Sequence, residues 1–65
     1  MELTPTEKTL ARGLTAFGAT ENMVGVILML LNERESLQKR LISYMVEHQK
    51  ATPRELLEQT IEMTR

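Results

Sequence analysis

The chain has 65 residues, no cysteine, a single histidine and a formal net charge of −1. A chain of this length builds one domain and buries only about 60% of the surface that its unfolded form exposes. With no disulfide to brace the core and too few imidazoles or thiols for a dedicated zinc site, self-association is the support that remains.

The absence of cysteine fits a reducing cytoplasm, and the start Met1-Glu2-Leu3-Thr4-Pro5 lacks the basic and apolar regions of a secretory signal. No block of like charges suggests a disordered arm or a polyanion-binding tail. A soluble, cytoplasmic, single-domain protein spanning residues 1–65 is expected.

Punctuation signals divide the chain into four helices. Thr4-Pro5-Thr6-Glu7 sets a hydroxyl at the N-cap, proline at the first helical position and a carboxylate at the third. The first helix should run over about 5–17, with Leu10, Leu14 and Phe17 on one face, Leu3 packing back and Gly18 as its stop. Gly13 lies inside it, at a cost of about 1 kcal/mol relative to alanine unless a neighbour uses the space.

Thr20 caps a second helix over about 21–31. Its stretch from Met23 to Leu31 contains no polar side chain, so its side chains are apolar all around the axis and need cover on every side. At about half the ~20 residues required, it is too short to span a bilayer. Gly25 in its middle would permit a close helix contact.

Asn32, followed by Glu33-Arg34-Glu35, reads as the cap of a third helix over about 33–49. Leu37, Leu41, Tyr44, Met45 and His48 form its main stripe, with His48 as a half-buried packing residue. Ile42 and Val46 widen that stripe beyond what one core face needs. Thr52-Pro53-Arg54-Glu55 repeats the first capping pattern and opens a fourth helix over about 53–63. This one should bury Leu56, Leu57, Ile61 and Met63 and expose Glu55, Glu58 and Glu62.

No alternating β-branched run bounded by hairpin residues appears, so the expected fold is all-α, a compact bundle of four short helices. The first, third and fourth helices must shield the second. They can do so only in part, and a dimer that packs the second and third helices across a two-fold axis would supply the rest.

Catalysis is not expected. Ser36 and Ser43 lack the spacing to His48 that nucleophilic chemistry needs. Glu33 with Glu35, and Glu58 with Glu62, read as a helix-dipole complement and a solvated face. No phosphate-binding glycine loop, metal site or cofactor is implied. Methionines at 23, 29, 45 and 63 lie on apolar faces, where they fill core gaps or adapt to a partner. The expected function is a non-catalytic, self-associating protein–protein interaction module, with Tyr44, Met45, Val46, Ile42, Val26 and Met29 as interface residues. Tyr44 is the favoured anchor because it joins large area to a polar tip.

The alternative is a DNA-binding regulator. Residues 37–63 look like a helix-turn-helix unit, and Ala51-Thr52-Pro53-Arg54-Glu55-Leu56-Leu57 resembles the opening of the second helix in many such regulators. Lys50, Arg54 and Gln59 would then contact nucleic acid, although the acidic balance lacks the usual basic footprint. Over nearly its whole length the chain also resembles small uncharacterised bacterial proteins of similar size. That resemblance rests on Leu3-Thr4-Pro5, Gly18-Ala19-Thr20-Glu21, the apolar helix and the Thr52 segment. Its motifs are capping signals, so it implies a helical fold and carries no functional residue.

Overall fold

The computed structural model describes residues 2–65, and every described element is helical: α1 (Pro5–Ala16), α2 (Glu21–Leu30), α3 (Glu35–Glu47) and α4 (Pro53–Thr64). Local chemistry sets most of these ends. At α1 the capping box is complete: the Glu7 N–H donates to Thr4 Oγ1 (3.1 Å) and the Thr4 N–H to Glu7 Oε1 (2.9 Å). Thr20 and Thr52 each accept from the N–H three residues on, at 3.2 Å. The reciprocal carboxylate bond is recorded only at α1.

The end of α1 is a Schellman motif centred on Gly18. The Ala19 N–H donates to the Leu14 carbonyl and the Gly18 N–H to the Thr15 carbonyl, each at 3.0 Å, with Gly18 at φ 95°.

The entry to α3 differs from the sequence expectation. Asn32 is not the cap. The chain leaves α2 through a turn closed by the Arg34 N–H on the Leu31 carbonyl (3.0 Å), and α3 begins at Glu35 with Arg34 as an N-cap that makes no side-chain bond. Two residues expected inside the helix are consumed by this turn. Glu33 carries it at φ 61°, a left-handed conformation that costs an L-residue about 1 kcal/mol or more. Replacing Glu33 by glycine should therefore raise the urea midpoint by the equivalent of about 1 kcal/mol. A lowered midpoint would show that the turn stores no such strain. At its other end α3 stops at Glu47, two residues earlier than expected.

Each helix packs mainly on two neighbours. α1 lies against α2 and α3, and α4 also lies against α2 and α3. The ring order is therefore α1, α3, α4, α2, and the consecutive pair α2 and α3 sits across the bundle. This corrects the expected arrangement, since α2 is a member of the ring and not its shielded centre. Only Ile27 of α2 is buried, while Val26, Met29 and Leu30 remain exposed.

The core joins Leu10 and Leu14 of α1, Ile27, Leu31 beyond α2, Leu41 and Met45 of α3, and Leu56 of α4. Phe17, Tyr44 and Leu57 pack on its margin. Gly13 serves a close approach: a Cβ there would lie 2.7 Å from Met45 Cε, so the methionine fills the space that glycine leaves. The radius of gyration is 10.3 Å, near the value of about 11 Å expected for a closed domain of this length.

Three polar residues are buried that periodicity alone did not mark: Glu7, Gln38 and Thr60. Each makes a specific hydrogen bond, two within a helix turn and one between helices. Glu7 closes the capping box, and Thr60 Oγ1 donates to the Leu56 carbonyl at 2.9 Å. Gln38 Nε2 donates to the Leu31 carbonyl at 2.7 Å, tying α3 to the end of α2. The Gln38 Oε1 is left without a partner. Conversely, Ile61 and His48, both expected inward, are exposed. His48 stacks on Tyr44 at a ring separation of 4.1 Å, and its Nδ1 lies 3.0 Å from the Tyr44 carbonyl. That carbonyl only accepts, so Nδ1 is the protonated donor.

Candidate interaction surfaces

The ring order distributes the predicted interface residues over different places. Met45 belongs to the core, where it fills the space beside Gly13. Tyr44 is half-buried under His48. Ile42 and Val46 continue along the outer flank of α3, with Val46 65% exposed. Val26 and Met29 lie on the outer face of α2, Met29 at 77% exposure. Because α2 and α3 occupy opposite positions in the ring, one flat seam cannot contain both sets.

Two apolar surfaces result. The first is a depression of about 580 Å³ between α1 and the end of α3. Gly13, Ala16 and Phe17 line it from one side and Ile42, Met45 and Val46 from the other, with Gln49 and Lys50 where the chain turns toward α4. The small α1 residues make it concave, which periodicity on α3 alone did not show. The second surface is the outer face of α2, where Asn22, Gly25, Val26 and Met29 are exposed and where Gly25 and Met29 line a shallower depression of about 240 Å³ with Leu3, Glu7, Leu28 and Asn32.

A polar depression of about 440 Å³ lies at the opposite end of α1, lined by Glu2, Glu7, Glu33, Glu35 and Gln38 among others. Two of its carboxylates already serve the fold. Glu7 caps α1, and Glu35 Oε1 accepts the Thr6 hydroxyl at 2.9 Å, pinning α3 to α1. Among the described residues, no three His, Cys, Asp or Glu side chains are grouped to hold a metal ion.

The residues proposed for nucleic-acid contact do not form one basic surface. Lys50 and Arg54 are exposed at the start of α4, whereas Gln59 is half-buried on a different side of that helix. Arg54 pairs with Glu58 at 3.7 Å on an open surface, and Glu55 and Glu62 are exposed along the same helix. Such a pair contributes little to stability, but it sets negative charge beside the arginine that would have to meet phosphate. Among the described residues, no helix is long and apolar enough to cross a membrane.

Compared with protein-family models, curated proteins and solved structures, the chain shows no match. Its functional reading rests on its own surfaces.

Proposed function

We propose that this protein is a non-catalytic, self-associating interaction module that works in a reducing compartment, the bacterial cytoplasm. The observation that carries the reading is the set of large apolar side chains left in solvent: Val26, Met29 and Leu30 on α2, Val46 on α3 and Ile61 on α4. A domain of this size has little apolar surface to spare for solvent, and contiguous exposed apolar patches mark interaction sites. Two such surfaces on opposite sides of one bundle suit an assembly unit, with one face for a copy of itself and the other for a protein partner.

Sedimentation equilibrium across a concentration series tests the reading. Mass should rise with concentration toward the dimer. A constant monomer mass into the millimolar range would remove it.

DNA binding is the second reading, favoured by the short turn between α3 and α4 and by exposed Lys50 and Arg54 at its exit. Titration against generic duplex DNA tests it, because phosphate-driven binding weakens steeply as salt rises. No binding at low salt would eliminate it.

A further inference from the structure

The groove between α1 and α3 combines an apolar floor with cationic edges. Gly13, Ala16, Ile42, Met45 and Val46 supply the floor. The Thr9 hydroxyl at its upper end already donates to the Pro5 carbonyl at 3.0 Å, so that group asks nothing of an occupant. Met45 gives the floor some compliance, because only its flexible end takes the room beside Gly13.

Residues three and four apart are neighbours on a helix surface. Arg12 therefore stands beside Thr9 and Ala16 on the α1 edge, and Lys39 beside Ile42 on the α3 edge, while Lys50 lines the far end. All three cations are exposed, and among the described residues the two ion pairs lie on α4 and involve none of them. Residues 8–20 and 36–46, which frame most of the groove, contain Lys8, Arg12, Lys39 and Arg40 and no carboxylate, although the whole chain is net −1. Two acids border this region without entering it. Glu35, about two turns before Ile42 on the same face, is held by the Thr6 hydroxyl. Glu47 lies about 100° round the axis from Val46, beyond the edge.

Shape and charge placement select the occupant. A fatty acid or lipid carries its anionic group at one end, whereas these cations stand on both edges and at both ends of an open floor. A flat membrane surface does not enter a concave one. An amphipathic helix fits, because its apolar stripe lies in a groove while its flanks present side chains along both edges. The outer face of α4 in a second copy is a poorer match, since Arg54 and Arg65 already offset Glu58 and Glu62 there.

We propose that the α1–α3 groove receives an acidic amphipathic helix of a partner protein. Apolar side chains of that helix pack on Gly13 and Val46, and its flanking carboxylates face Arg12, Lys39 and Lys50. Opposite charges placed this way speed encounter and fix register. The proposal rests on the interaction-module reading and names the chemistry of the partner.

Fluorescence anisotropy of the full chain with two synthetic peptides, each about four helical turns long, tests it. Both peptides carry one leucine stripe, flanked by glutamate in the first and by lysine in its twin. The glutamate peptide should bind about tenfold or more tighter than the twin, and added salt should narrow that difference. Lys39→Glu should weaken it several-fold. Arg40→Glu, the same exposed change one residue on and about 100° further from the groove, should leave it nearly unaltered. Equal affinity for both peptides, equal loss from both variants, or binding only to phosphatidylglycerol vesicles would overturn the proposal. No binding of either peptide up to about 1 mM would do the same. Sedimentation of the chain alone reports separately. Rising mass without peptide binding removes the groove's partner and leaves self-association standing, whereas peptide binding by a constant monomer does the reverse.

Discussion

Replacing Leu41 by alanine should cost about 3 kcal/mol of stability, read as a fall in the urea midpoint at constant slope. Leu41 is fully buried on α3, and α3 packs against both α1 and α4. Truncation removes its transfer energy and leaves a cavity that well-packed neighbours fill only in part. A domain of this length holds roughly 3–10 kcal/mol in total, so this one change should remove from about a third to nearly all of it. A loss below about 1 kcal/mol would mean that the helices close around the gap, and that the core is more plastic than its packing implies. Dilution should deepen the effect if the dimer contributes stability, because binding shifts the folding equilibrium by mass action.

Gly18→Val should produce the second large loss, about 2 kcal/mol by equilibrium denaturation. The reason is backbone geometry and not lack of space. The nearest atom to a Cβ at this site is Pro53 Cγ at 3.9 Å, an ordinary contact, but φ is 95°. A β-branched residue strongly resists that conformation. Escaping it would break the bonds from the Ala19 and Gly18 amides that close α1, and would redirect the chain between α1 and α2. Gly18→Asn should cost less, since asparagine tolerates left-handed conformations better. Equal losses from the two variants would point to lost space as the cause.

These two positions illustrate how differently the features of this protein can be read from its residues. Gly18 as a helix stop was legible because its cause lies within a few residues. The same holds for the caps at Thr4, Thr20 and Thr52, where a side-chain oxygen meets an amide three positions along. Asn32 fits the same pattern and does not act as a cap. Its failure comes from the turn through Glu33, which carries the chain across the bundle to reach α3's place against α1. Local capping preference at one residue is worth about 1 kcal/mol, less than the burial of Leu31, Leu37 and Leu41 that this path secures.

The candidate interface was legible in part. The excess of apolar surface on the second and third helices follows from side-chain periodicity, and Val26, Met29 and Val46 are indeed exposed. Their division between two surfaces was not accessible. Periodicity assigns residues to a face of one helix, but it does not say which helix stands beside which. Met45 shows the consequence: it shares a stripe with Tyr44 and Val46, yet it is drawn inward by the space at Gly13. Gln38 was missed for a related reason, because its value lies in a bond to the Leu31 carbonyl that exists only when the two helices are assembled.

The sequence by itself determined that this is an all-helical protein with four helices and fewer buried positions than apolar residues. Those properties depend on interactions within one turn of helix and on the small volume that 65 residues enclose. Only the tertiary structure decided that α2 takes a place in the ring and not at its centre. Only it divided the surplus apolar surface between a groove at α1 and α3 and the outer face of α2. Helix order around a bundle is set by contacts between residues far apart in the chain, where many small packing differences compete, and no single local signal encodes their sum.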